Sequence, residues 1–512
     1  MPNSHSGLSR ILSASAAAWA RIGVTIVSQV ALVPLYLSSW DVEVYGAWLL
    51  LQAVWASIGI LDYGHHEYIG FECLRRPANN RAEIAEIMMS ALPMAALISA
   101  WDILLVMGLI HSSRVAAWVG ADAQLFGQWS DALLLQAVTS LFTTGIGGIL
   151  IRGIAPFGHY PRVAWWGTSY AIITAAVPGV AVYLGADLWE TALALCAANI
   201  AYHAVYFLDI ALIVRREQLF AATPNFRKGF RRGTAALLLV AKTFAEMLRQ
   251  QGARLLLAPL AGVSDLAAFA TMRTGANFAL QGLHTISGPI MPELMRYLSV
   301  RDQQRTESAF AVVWLMLCAV LCPAVLLVQY VAPFLFPLWT QGKIPFDPHL
   351  FLLLSLGILT VALAQPATAI LQGNNLLQQQ FAVSLIAAAT TIVALFLLVP
   401  RLGIKGAALG LLIAEVISLL MYRGIAIRWL GNQGMHWPAK AFFVSALSIV
   451  NGALGMSAIA ADPKHALACL ASSLAIQAGI TAWYWRQLPP IARNRASGLL
   501  NRFNPRFVCF RP

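Results

Sequence analysis

Apolar windows of about 20 residues, long enough to cross a bilayer as a helix, recur about fourteen times in this chain. They cover 11–38, 45–69, 84–110, 130–151, 163–185, 189–214, 234–258, 264–291, 308–337, 349–372, 377–399, 404–427, 438–460 and 464–485. The polar stretches between them are too short to form a soluble domain. The pattern predicts an all-α integral membrane protein with about 14 transmembrane helices. It predicts neither a tethered enzyme nor a cofactor.

The pattern is least regular between Ala235 and Met291, where two membrane-length helices carry polar stripes. In the first, Lys242, Glu246 and Arg249 fall at i, i+4 and i+7, within roughly a 60° arc of one face. Gln250 lies at the edge of that arc and Arg254 on its flank. In the second, Arg273, Asn277, Gln281 and His284 repeat the arrangement. A central Lys or Arg costs about 2.5–3.5 kcal/mol on insertion scales, whereas a Leu, Phe or Val returns only about 0.3–0.6. The stripe must therefore face protein or a water-filled cavity. One arrangement is an internal knot in which Glu246 neutralises Lys242 and Arg249. The other is a cavity for an anion, which the excess of positive charge favours.

Composition narrows the class. Only 11% of residues are charged and 59% are hydrophobic, with mean hydropathy +0.70, against about 25% charged in soluble domains. A net charge of +12 would suggest nucleic acid in a soluble protein, but here placement explains it. With the N-terminus in the cytoplasm, inside segments collect Arg75, Arg76, Arg81, the run from Arg215 to Arg232, and the tail. Outside loops hold about five basic residues: Arg114, Lys343, Arg401, Lys405 and Lys464. That asymmetry predicts both termini inside, a bilayer partner and no nucleic acid. Tail residues Arg493, Arg495, Arg502 and Arg506 suit anionic lipid. Six scattered cysteines (Cys73, Cys196, Cys318, Cys322, Cys469, Cys509) read as core thiols, and no metal set is completed.

The basic loop Arg215–Arg232 divides the chain. Across it runs a faint repeat: Pro34-Leu35, Asp41 and Tyr45-Gly46 answer to Pro259-Leu260, Asp265 and Phe269-Ala270. The division yields an N-lobe at 1–222, a C-lobe at 223–430, two added helices at 431–487 and a basic tail at 488–512. Two similar bundles of six helices each suggest a transporter.

The opening segments carry Arg21 and Gln29, then Pro34-Leu35-Tyr36-Leu37, Tyr45-Gly46-Ala47-Trp48-Leu49-Leu50-Leu51 and Asp62-Tyr63-Gly64. Later come Leu371-Gln372-Gly373-Asn374 and Pro400-Arg401-Leu402-Gly403-Ile404-Lys405-Gly406-Ala407-Ala408-Leu409-Gly410. Together these resemble the polysaccharide transport family, the lipid-linked oligosaccharide or O-antigen flippases. That family shares a superfamily with the multidrug and toxin extrusion transporters. The resemblance implies two pseudo-symmetric six-helix lobes in a V, alternating access, and a central cavity lined by spans one, two, seven and eight.

Each candidate residue has two readings. Arg21 grips phosphate, whose oxygens match a guanidinium, or snorkels to the interface; it shares a face with Thr25, Ser28 and Gln29. Asp62 pairs with a cavity arginine or carries a proton, or else belongs to a helix-terminal turn at the end of the second span. Arg254 faces the outer mouth. Asn277 and Gln281 meet sugar hydroxyls or bond between helices. Glu415 couples an ion or pairs with a neighbouring lobe. The expected function is translocation of an undecaprenyl-diphosphate-linked oligosaccharide across the bacterial inner membrane for O-antigen or exopolysaccharide synthesis. Glycan polymerase or export machinery are its expected partners. The rivals are a cation-coupled multidrug exporter, a glycan polymerase or ligase, and a lipid II flippase.

Overall fold

The computed structural model describes residues 4–77, 79–119, 122–220, 222–277, 294, 297–298, 300–374, 376–489 and 493, and among them there is no β-strand. The helices are α1 (Ser4–Ser39), α2 (Val42–Ile58), α3 (Ile60–Leu74), α4 (Arg81–Ile110), α5 (Ser113–Val119), α6 (Ala123–Ser140), α7 (Ile146–Gly153), α8 (Tyr160–Tyr183), α9 (Leu188–Arg216) and α10 (Phe226–Ala261). Then follow α11 (263–277 in its described part), α12 (Gln303–Met316), α13 (Cys322–Trp339), α14 (Pro348–Gly373), α15 (Leu377–Leu402), α16 (Ile404–Asn432), α17 (Ala439–Ala461) and α18 (Ala466–Gln487).

Ten helical stretches among the described residues are long and apolar enough to cross a membrane. The bent pair α2–α3, which turns by 41° at Gly59, makes an eleventh. The chain is thus an all-helical, multi-pass membrane protein. α10 is not among the ten, because its 36 residues carry Arg227, Lys228, Arg231, Arg232, Lys242, Glu246, Arg249 and Arg254. Short polar side chains fix where several helices begin. Asp122, Asp187, Asn225, Asp302 and Asp347 each accept a backbone N–H of the following first turn. These bonds satisfy donors that a helix start leaves open. Asp187 and Glu190 complete a reciprocal capping box.

The chain divides into two compact units, residues 1–270 with 339–344, and 271–338 with 345–512. Within the first unit α10 packs along α3 and α4. The reason is local. A Cβ built on Gly64 of α3 would lie 2.6 Å from Val240 Cγ2 and 2.9 Å from Val240 Cα, so only glycine lets α10 come that close.

In the first unit α1 packs on α8, α8 on α9, and α6 on both α2 and α9. Buried Trp129 donates from Nε1 to the Ala47 carbonyl (3.1 Å), and Trp40 likewise to Ala186 (3.0 Å). The segment 339–344 joins the same unit through Trp339 Nε1 to the Val30 carbonyl and Lys343 Nζ to the Trp40 carbonyl, each 2.8 Å. Basic residues of the loops gather at one end of this unit and meet acids there: Arg76 with Glu83, Arg81 with Glu217, Lys228 with Glu86.

The second unit is built on α14, α15 and α16, with α17 against α14 and α18. Trp314 is fully buried and donates to the Leu363 carbonyl (3.1 Å); Tyr484 donates to Ala311 (3.0 Å). The Arg423 guanidinium lies 4.8 Å from the centre of the Phe442 ring. The glycine motif noted in the sequence forms the α15–α16 corner, where Gly403 takes φ +58°.

Two spans are interrupted by π turns, Leu141–Gly145 between α6 and α7 and Leu317–Leu321 between α12 and α13. A π turn holds one residue more than the α-helix it interrupts and leaves a carbonyl without its usual partner. In each case a neighbouring helix supplies one. His66 Nε2 donates to Gly145 O (2.9 Å), which fixes its tautomer. Gln477 Nε2 (2.8 Å) and Thr481 Oγ1 (3.1 Å) both donate to Cys318 O.

Candidate functional site

The residues singled out in the sequence are distributed along the fold as follows. Arg21, on α1, is exposed, with Nη1 beside Gly167 of α8. Gln29 lies half-buried two turns further along. Glu246 and Arg254 are half-buried on α10. The side chains of Lys242, Arg249 and Gln250 lie outside the described residues, as do Gln281 and His284 and the tail arginines Arg495, Arg502 and Arg506. Arg273 and Asn277 are half-buried on α11, and Glu415 on α16. Glu246 acts electrostatically on Tyr63 of α3. Arg254 acts on Tyr45 of α2. Among the described residues Arg254 has no acidic partner, and its Nε has no hydrogen-bond partner.

Asp62 does not end the second span. The helix bends at Gly59 and continues to Leu74, which puts Asp62 in the first turn of α3. The Asp-Tyr-Gly triplet that reads as a turn is helical; its glycine is there for Val240. Asp62 is buried, with Ser99 Oγ of α4 at 3.4 and 3.5 Å from its two oxygens. Asp102, one turn beyond Ser99, is fully buried and close enough to be influenced by the Asp62 charge. Neither Asp102 oxygen has a hydrogen-bond partner among the described residues, and neither ring nitrogen of buried His65 has one. The sequence reading missed Asp102, although a lone acid inside an apolar span is a signal for a functional position.

A second polar feature of the first unit was also missed. A cavity of about 230 Å³ lies between α1, α2, α6, the π turn, α8 and α9. Its wall combines aromatic faces, Trp48 and Trp55 among them, with the amides of Gln52, Gln136 and Asn199 and a row of hydroxyls that includes Thr143. No Asp, Glu, Lys or Arg lines it. Isolated amides in apolar spans carry no charge, so hydropathy does not separate them from ordinary interhelical contacts.

No protein-family model matches this chain, and no curated protein matches its sequence. Its backbone is similar to solved structures. One is an inward-facing multidrug resistance MATE family transporter of the MOP superfamily, with TM-score 0.63 and 13% identity, covering 79% of this chain and 93% of that one. Another is the lipid II flippase MurJ in an inward closed conformation, with TM-score 0.61 and 11% identity, covering 93% and 99%. A third is the eukaryotic MATE transporter AtDTX14, with TM-score 0.52 and 13% identity, covering 82% and 96%. At these identities the likeness shows the fold, a MATE- and MurJ-like transporter fold.

Proposed function

We propose that this chain is a flippase that moves an undecaprenyl-diphosphate-linked oligosaccharide from the cytoplasmic to the outer leaflet of a bacterial inner membrane by alternating access. Arg254 carries the reading. A guanidinium kept in a membrane-length helix without an acidic partner among the described residues favours an anion, and its planar fork suits phosphate oxygens. Lys242 and Arg249 belong to the same helix, Arg21 to α1 and Arg273 to α11, and these attract the diphosphate. Gln29, Asn277, Gln281 and His284 meet the sugars, while the lipid tail stays in the bilayer. Moving about two negative charges out of a negative cytoplasm releases about 2.3 kcal/mol per charge per 100 mV, so the membrane potential biases direction. Glu415 and Glu246 are secondary candidates for coupling an ion.

A cation-coupled exporter of the same fold is the second reading, and Asp62 with Asp102 favours it. These are acids buried in the first unit with no basic partner among the described residues. One experiment separates the two. In a strain lacking this protein, Arg254→Gln should fail to restore surface glycan, and lipid-linked repeat units should accumulate on the cytoplasmic leaflet at normal protein level. Normal surface glycan in the strain lacking this protein, with drug sensitivity that tracks Asp102→Asn, would sink the flippase reading in favour of the exporter, and normal export by Arg254→Gln would remove Arg254 from the anion site. Unpolymerised units outside the cell would indicate a polymerase.

A further inference from the structure

We propose that the uncharged cavity of the first unit is a sugar-recognition site that holds one neutral glycosyl ring of the cargo. The inference rests on the reading of a glycan as cargo, but it concerns a different part of the molecule from Arg254. Four amide atoms of the cavity-lining residues have no hydrogen-bond partner among the described residues: Gln52 Nε2, both Gln136 Nε2 and Gln136 Oε1, and Asn199 Oδ1. Gln136 is only 6% exposed, and a buried amide left unpaired at both ends is costly. The amides and hydroxyls of the lining residues include donors and acceptors together, which suits a ligand that both accepts and donates. Hydroxyl groups do both. An ammonium only donates and a carboxylate or phosphate only accepts.

The walls agree with this. Trp48 and Trp55 offer flat apolar faces of the kind that cover the C–H side of a ring, with hydrogen-bonding groups on other sides. The absence of lining charges removes the electrostatic reason for an ionic ligand. Size limits the occupant further. Sites for drug-sized molecules run from about 300 to 1,000 Å³, and 230 Å³ lies below that range, which suits one ring rather than a whole drug or repeat unit. The π turn contributes as well. With the regular α-helical ladder broken at Leu141–Gly145, the span presents Thr143 and Thr144 side by side to the cavity.

The test uses the full-length protein in lipid nanodiscs and saturation-transfer NMR with methyl glucoside, methyl galactoside and N-acetylglucosamine, with glucose 6-phosphate as the charged comparison. At least one neutral sugar should bind saturably and better than the phosphate. Gln136→Leu should weaken that binding roughly 30-fold, the effect of two net hydrogen bonds. Gln52→Leu should weaken it about fivefold, which keeps the test open if Gln136→Leu does not fold. Asp462→Ala, in the turn between α17 and α18, should leave sugar binding unchanged. The absence of saturable binding to any neutral sugar by the unaltered protein would overturn the proposal, as would equal or tighter binding of the phosphate. Saturable sugar binding by a protein whose deletion leaves surface glycan normal would overturn the flippase reading and leave this site standing.

Discussion

Replacing Arg254 with leucine should make the protein more stable and less active. On insertion scales a mid-membrane arginine costs about 2.5–3.5 kcal/mol and a leucine returns about 0.3–0.6, so the swap has a ceiling near 4 kcal/mol. Arg254 is expected toward the outer mouth rather than at mid-membrane, where the insertion cost is smaller, so about 1–2 kcal/mol of gain is expected. Among the described residues no ion pair is lost to offset it, only an electrostatic contact with Tyr45. A residue retained for structure behaves in the opposite way, because breaking a buried pair costs about 3–5 kcal/mol. The assay is equilibrium unfolding in mixed micelles, with surface glycan measured on the same variant. A lower unfolding midpoint for Arg254→Leu would refute the reasoning, since it would show that the guanidinium stabilises the resting protein.

Three further outcomes follow from the packing. Gly64→Ala puts a methyl against Val240 at 2.6–2.9 Å and should cost about 1–3 kcal/mol through overpacking, seen as a lower thermal midpoint; Gly357→Ala, whose methyl meets nothing within 4 Å among the described residues, should cost nothing. Gln477→Leu removes bonds to Cys318 O (2.8 Å), Ser448 Oγ (3.0 Å) and Asn451 Nδ2 (3.0 Å); at about 0.6 kcal/mol per bond in a membrane, unfolding should show a loss of roughly 2 kcal/mol. In the α17–α18 turn the His465 ring and backbone N–H groups bond to the Asp462 carboxylate and hold its pKa below the ordinary 3.8. A depressed carboxyl stabilises the turn above its ordinary pKa and loses that contribution as pH falls through the folded value. The protection factors of the Lys464 and His465 amides, exchange rates corrected for the intrinsic rate at each pH, should therefore fall on acidification below about pH 4, and Asp462→Ala should remove that loss.

Much of the architecture was readable from hydropathy alone. The apolar windows coincide with the helices of the second half, and the caps lie where Asp and Asn precede apolar runs, as at Asp187 and Asp347. Failures arose where one residue type serves two purposes. Asp62-Tyr63-Gly64 has the composition of a turn, yet its glycine answers a helix from another part of the chain, which no local pattern reveals. Asp102 was legible in principle and was overlooked among attention to basic residues. Gln52, Gln136 and Asn199 were not legible, because a neutral amide in a span looks the same whether it faces another helix or a hollow. The π turns have no signature at all: Leu141-Phe142-Thr143-Thr144-Gly145 would serve equally well in a continuous α-helix.

The first of those turns sets the phase of everything after it. Each residue of an α-helix advances the face by about 100°, so the extra residue at Leu141–Gly145 rotates α7 by about that angle against α6. Arg152, at the far end of α7, reaches Glu67 of α3 by virtue of that rotation. The same offset carries Gly145 O to His66 while Thr143 faces the cavity. Were the turn to relax into plain α-helix, the ion pair, the histidine bond and the hydroxyl wall would all lose alignment together. The same five residues thus carry hydroxyls of the cavity wall on one side and, on the other, the carbonyl that accepts from His66, one turn along α3 from Asp62.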